Sequence, residues 1–301
     1  MDAMGLTYSI LTTIFWALSP VFMRKSLDTF DNIEINATRC VAFISIATAA
    51  CLVINPSLFA WKHEFYVLLY VFIMVLIGNL IGDLLYMVAI DNIGVGRALS
   101  TANSYPIFVS IFSILFIGET PSINLWIGTI IIIIGLGLLN YTKGDSLPQS
   151  GKVRKNSLGF FLAILTAMLW GVNMTIQKWI LNTYNIEALT FTFWRAVSLC
   201  IVAWSYWYYR KNSEERKHIF RVGFGKWLSP FLSGTFGLAL SGITIVHALE
   251  KIPVSVVAPI TATNPVIAAI IAKLAFKEKL SVIQWVGIIM VIIGGIEVSF
   301  S

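Results

Sequence analysis

The sequence predicts an all-α integral membrane protein of ten transmembrane helices, folded as two inverted five-helix repeats. Three observations lead there. The 301-residue chain is 57% hydrophobic and only 12% charged, with a mean hydropathy of +0.82, whereas soluble domains carry about 25% charged residues. Its apolar residues gather into ten runs, each near the roughly 20 residues a helix needs to cross a bilayer. The chain also repeats itself. Residues 87–137 lie over residues 246–296 at a constant offset of 159 with 14 of 51 positions identical, among them Pro106/Pro265, Glu119/Glu278, Ser122/Ser281, Gly128/Gly287 and Gly135/Gly294. Five spans per repeat is an odd number, so the two halves enter the membrane from opposite faces, a plan common among solute carriers.

In chain order, spans are expected near 6–26, 35–54, 66–88, 96–117 and 123–141, then near 157–181, 188–208, 227–248, 254–276 and 281–299. The first repeat is residues 1–141 and the second 157–301. The polar linker 142–156, which contains Gly and Pro, joins them. Met1–Gly5 holds no Lys or Arg and no small-residue cleavage site follows, so the first apolar run reads as a span and not a signal peptide. The upstream repeat is weaker, with Trp16 over Trp170 and Arg39 over Arg195. The segment 209–226, rich in Arg, Lys and Glu, reads as a short solvated helix or hairpin. Gly78 and Gly82 in span 3, Gly128 and Gly135 in span 5, and Gly287, Gly294 and Gly295 in span 10 permit close helix contact. Glu119 and Glu278 end spans 4 and 9 and shape loops.

The net charge of +6 comes from cations in short loops, not from one soluble patch, so no nucleic-acid partner is implied. Sixteen Lys and Arg fall on one face, and Lys62, Lys178 and Lys251 on the face bearing both termini. By the positive-inside rule the sixteen-cation face is cytoplasmic. Cys40, Cys51 and Cys200 lie in apolar stretches with neither disulfide nor metal spacing.

Ten spans, the five-plus-five duplication, Trp16 and Trp170 in the first span of each half, and an acid ending each fourth span (Gly118-Glu119, Lys277-Glu278) resemble the drug/metabolite transporter superfamily in its EamA branch. The resemblance covers about residues 6–299. It implies a multi-pass protein of the cell membrane that exports or exchanges small polar metabolites such as amino acids. It also implies a central cavity lined by spans 1–4 and 6–9, with spans 5 and 10 peripheral. Its usual topology puts both termini in the cytoplasm, opposite to the charge count.

Ionisable groups at membrane depth cost roughly 2.5–3.5 kcal/mol each and so need a reason. Asp83 lies within span 3, with Asn79 four residues before it and Tyr86 three after, all on one helical face. Such a face binds a substrate amine or carries a proton; the alternative is an Asp held by a neighbouring helix. His247, near the end of span 8, is either a proton relay or a packed histidine. Arg39 and Arg195 either snorkel to an interface or line a cavity mouth and attract anionic groups. Lys25 and Lys178 read as interfacial anchors. Asn103 and Pro106 in span 4, and Thr261, Thr263, Asn264 and Pro265 in span 9, form polar belts beside prolines that free a backbone carbonyl. They read as internally satisfied kinks, as hinges, or as both. Ser19, beside Pro20, and Asn173 extend the pattern, and Trp16, Tyr86, Trp170 and Trp194 are candidate cavity walls. The candidate substrate-binding set is therefore Trp16, Ser19, Asn79, Asp83, Tyr86, Asn103, Trp170, Asn173, Trp194, His247, Thr261 and Asn264, with Pro106 and Pro265 as hinges.

No phosphate-binding loop of the form GxxxxGK[ST] is present, which disfavours ATP-driven transport within this chain. No cofactor or metal is expected. The partners expected are a small-molecule substrate and the bilayer, with proton coupling open and the protein a monomer or homodimer. A passive channel would need a continuous polar stripe along several helices. A membrane enzyme would need clustered catalytic groups, which His63, His218 and His247 do not supply.

Overall fold

The computed structural model describes residues 2–141, 156–276 and 280–300. Glu278 and the linker up to residue 155 lie outside them. Ten long helices form the described fold. The first five are α1 (Ala3–Ser26), α2 (Asn32–Ile54), α3 (Phe65–Ile93), α4 (Val95–Ile117) and α5 (Ile123–Leu139). The second five are α6 (Asn156–Tyr184), α7 (Ala188–Arg210), α8 (Gly225–Lys251), α9 (254–276) and α10 (Val282–Ser299). Nine are apolar and 18 or more residues long, and α5 has 17 residues.

The starts of α2, α5 and α10 are fixed by side chains that occupy orphan backbone N–H groups. Asp31 caps α2 in a capping box with Glu34. Ser122 caps α5 and Ser281 caps α10, which explains why serine recurs at that repeat position. Gly94 and Gly118 end α3 and α4 at φ 83° and 76°, a left-handed conformation that excludes most side chains. The charged segment after α7 forms the helix Ser213–Arg221, opened by an Asn212/Glu215 capping box.

The repeated glycines pack α5 against α10. A Cβ on Gly128 would stand 2.7 Å from the Gly294 carbonyl, and one on Gly135 would stand 2.7 Å from the Gly287 carbonyl. The outer sides of this pair, with Ile130, Ile134, Ile289 and Ile293 about half exposed, are the apolar surface a bilayer covers.

Two features sit at equivalent places in the halves, the first not expected from the sequence and the second read there as a kink or hinge. Both α3 and α8 pass through a π-helical segment, Leu76–Gly82 and Thr235–Leu240. Such bulges shift the backbone ladder by one residue. Both α4 and α9 break before their proline, at Asn103–Ser104 and at Thr263. Pro265 has no N–H for the Thr261 carbonyl, and Asn264 Nδ2 donates to it instead at 2.9 Å.

On the terminus-bearing face, the α8–α9 turn is gripped at both ends. Lys178 donates to the carbonyls of Leu249 and Ile252 at the end of α8. The Glu119 carboxylate accepts from the N–H groups of Val254 (2.8 Å) and Ser255 (3.1 Å) at the start of α9. A cation on a helix C-terminus and an anion on an N-terminus each match the local dipole. This corrects the expectation for Lys178. The residue is only 7% exposed because α6 runs on to Tyr184, so its ammonium reaches the neighbouring turn and not a headgroup. Glu119 shapes a loop as expected.

Candidate functional site

A cavity of about 450 Å³ occupies the centre of the bundle, a size typical of small-molecule sites. Helices α1–α4 and α6–α9 contribute its wall, and α5 and α10 contribute none of it. The lining reaches Met23, Asn32, Ile33, Met87 and Tyr206, which lie at the helix ends on the sixteen-cation face. Toward the other face it stops at Gln177, Arg195 and Ile245, and beyond them Lys178 and Glu119 grip the α8–α9 turn.

Nine of the twelve candidate residues line this cavity: Trp16, Ser19, Asn79, Asp83, Tyr86, Asn103, Trp170, Asn173 and Asn264. The local geometry explains how. Asp83 begins the α-helical segment after the α3 bulge, ten residues before the end of α3. Its carboxylate accepts from Trp170 Nε1 at 3.0 Å. The Trp170 ring packs on Tyr86 at 5.3 Å and edge-on to Tyr105 at 6.4 Å. Asn173 donates from Nδ2 to the Met74 carbonyl at 2.7 Å, at the edge of the π-helical segment. Gly78 and Gly82 make both contacts possible, since added Cβ atoms would stand 2.4 Å from Asn173 and 3.1 Å from Trp170. Asp83 is therefore both cavity-facing and held by a neighbouring helix.

Three candidates lie elsewhere. Trp194 donates to the Phe59 carbonyl at 3.2 Å and packs on Trp61, beneath the loop after α2. His247 stacks on Tyr8 and pairs with Glu250 at 3.1 Å. Thr261 is fully buried between α4 and α9, bonded to the Tyr105 hydroxyl at 2.9 Å. None of the three lines the cavity, although Thr261 stands directly behind its wall residue Tyr105. Pro106 is buried just after the α4 break, and Pro265 follows the α9 break.

The sequence left Arg39 and Arg195 between two readings, and both line the cavity. Arg195 Nη1 donates to the Gln177 amide oxygen, Oε1, at 3.0 Å, and the guanidinium lies over the Phe43 ring. Arg39 Nη2 is 3.3 Å from Ser19 Oγ, and Nη1 is 3.5 Å from Asn36 Oδ1. Gln177, Asn36, Tyr105 and Tyr206 also line the wall, and no periodicity in the sequence distinguished them. Cys40 and Cys200 are free thiols where α2 meets α7. Among the described residues no group of three His, Cys, Asp or Glu side chains is placed to hold a metal.

Near the cavity's open end, Lys211 pairs with Asp31. Burial pushes the Asp31 carboxyl up, but the Lys211 ammonium and the Glu34 and Ile33 N–H groups outweigh it and hold the group below its ordinary value. Burial pulls the Lys211 ammonium down, yet Asp31 holds it above its usual range. This pair is intact at neutral pH and is lost as the pH falls through the lowered Asp31 value.

The EamA-like transporter family model matches residues 3–141 and again residues 157–300. The chain belongs to the EamA-like transporter family. It is a multi-pass protein of the cell membrane. An uncharacterized transporter of Archaeoglobus fulgidus is 24% identical over 303 residues, covering 95% of this chain and 94% of that protein. A second uncharacterized transporter, from Clostridium kluyveri, is 26% identical over 161 residues, 52% of this chain and 50% of its own. A probable 4-amino-4-deoxy-L-arabinose-phosphoundecaprenol flippase subunit ArnE of Pseudomonas fluorescens is 39% identical over 72 residues, 24% of this chain and 62% of that one. A solved crystal structure superposes on 100% of the chain and 98% of its own with a TM-score of 0.81 at 14% identity, a likeness of fold.

Proposed function

We propose that this protein is a secondary transporter, an exporter or exchanger, of small polar metabolites such as amino acids, working by alternating access between two inverted repeats. One observation carries the reading: a central cavity with polar groups set in a largely apolar wall, built from both halves, reaches one face while Lys178 and Glu119 grip the α8–α9 turn at the other. A transporter caught with one side open has this form. The equivalent breaks in α4 and α9 are the natural hinges, because a proline and a polar belt let the backbone bend without leaving a carbonyl unsatisfied. The reading as a passive channel requires a pathway open at both faces, and the grip on the α8–α9 turn weighs against it.

Counterflow in proteoliposomes tests the reading. Vesicles loaded with an unlabelled amino acid should accumulate the labelled compound transiently, with saturable kinetics, for at least one member of a metabolite panel. Pro106→Ala and Pro265→Ala should slow that exchange more than they weaken binding, because a hinge acts on the conformational step. Flux that rises linearly without saturation would favour the channel.

A further inference from the structure

We propose that Arg39 is an anion subsite, the point at which the cavity takes hold of a carboxylate or phosphate group on its ligand. Calling that ligand a substrate rests on the transport reading, whereas the subsite itself is a claim about binding.

Charge comes first. Among the described lining residues the carboxylic and basic side chains are Asp83, Arg39 and Arg195. The cavity therefore holds two cations against a single carboxylate. Asp83 is engaged by the Trp170 indole, and Arg195 by Gln177 and the Phe43 ring. Arg39 is held less closely, with Asp83 acting on it only at longer range than an ion pair. Its contacts at 3.3 and 3.5 Å lie at the outer limit of hydrogen bonding. Its buried Nε has no acceptor. Among the described residues no carboxylate stands within ion-pair distance of it.

A second donor on the same cavity is also unmatched: Asn103, 4% exposed, has no acceptor for its Nδ2. Buried donors without acceptors are rare in folded proteins and point to a missing partner. A partner for either must supply acceptors. Carboxylate and phosphate oxygens are acceptors only, and the planar guanidinium fork suits them in pairs.

The seat for Arg39 is also built. A Cβ on Gly237 would stand 2.7 Å from Arg39 Nη2 and 2.3 Å from Ser19 Oγ. One on Gly234 would stand 2.3 Å from the Arg39 carbonyl. Gly234 immediately precedes the α8 bulge and Gly237 lies within it, so the bulge places this cation beside the cavity. Arg39 is seven residues beyond the start of α2, roughly 10 Å below the open face. A ligand entering from that face meets it before Arg195, whose equivalent depth is measured from the opposite face.

The test uses the purified full-length protein in detergent, with calorimetric titration of phenylacetate, phenyl phosphate and the neutral isostere phenylacetamide. At least one anion should bind about 10-fold or more tightly than phenylacetamide, and the stronger of the two identifies the group recognised. Arg39→Gln should remove that preference while leaving phenylacetamide unchanged, and Arg39→Lys should restore part of it. Equal affinity for anion and isostere, no binding of either anion, or an unchanged preference in Arg39→Gln would overturn the proposal. Should Arg39→Gln fail to fold, the wild-type comparison still decides, and Gly237→Ala, which crowds Nη2, should weaken the anion alone. Anion binding without counterflow in proteoliposomes would defeat the transport reading and leave the subsite standing. Counterflow of phenylacetamide as fast as phenylacetate would do the reverse.

Discussion

Asp83→Asn is expected to abolish gradient-driven transport, by at least about 100-fold, and to leave the protein folded. Among the described residues Asp83 is the one carboxylate lining the cavity, and it sits far from either end of α3. Proton coupling, or pairing with a substrate amine, needs a group there that changes or carries charge. Asn retains an oxygen to accept from Trp170 Nε1, so the helix contact at 3.0 Å survives. Transport against a pH gradient in proteoliposomes, alongside thermal unfolding of the variant, measures both halves of the expectation. Unchanged rates with unchanged pH dependence would remove Asp83 from the working site.

Lys178→Met should loosen the closed face. The ammonium supplies donors to two carbonyls at the end of α8, and methionine fills similar space without them. Loss of charge-assisted hydrogen bonds to buried acceptors costs about 3 kcal/mol, enough to shift a two-state balance by roughly 100-fold. Glu119→Gln should act in the same direction with a smaller effect, since one acceptor oxygen remains for Val254 or Ser255. Ile252→Cys, in a background lacking the three native cysteines, reports the change through its reactivity toward an impermeant thiol reagent applied from that face. The thiol should be protected with Lys178 present and reactive in the Lys178→Met variant. A protected thiol in both, with no change in unfolding temperature, would show that the grip on the turn carries little of the closure.

Much of the architecture was legible because hydropathy and repetition are sequence-long signals. The expected span ends fall within a few residues of the helices. The recurrent Ser122/Ser281 and Gly128/Gly287 have direct causes, capping and the α5–α10 contact. The face of a helix that turns inward was less legible. Asn79, Asp83 and Tyr86 were placed together correctly because all three lie within two turns of one another. Trp194, His247 and Thr261 were chosen for residue type, and nothing in an apolar helix shows which polar side chain its neighbour will bury. The π-helical segments of α3 and α8 left only glycines as a trace, at Gly78 and Gly82 and at Gly234 and Gly237. Lys178 was misread because six further residues of α6 follow it, and a nominal span end hides that depth.

The central claim is that the two halves exchange roles, and paired cysteine accessibility measures this most directly. Single cysteines near Asn103 in α4 and near Asn264 in α9, labelled with an impermeant reagent from one face, should respond in opposite senses when a transported metabolite is added. One should become protected as the other becomes reactive. Parallel changes at the two positions, or no change at either, would contradict alternating access and leave a fixed pore.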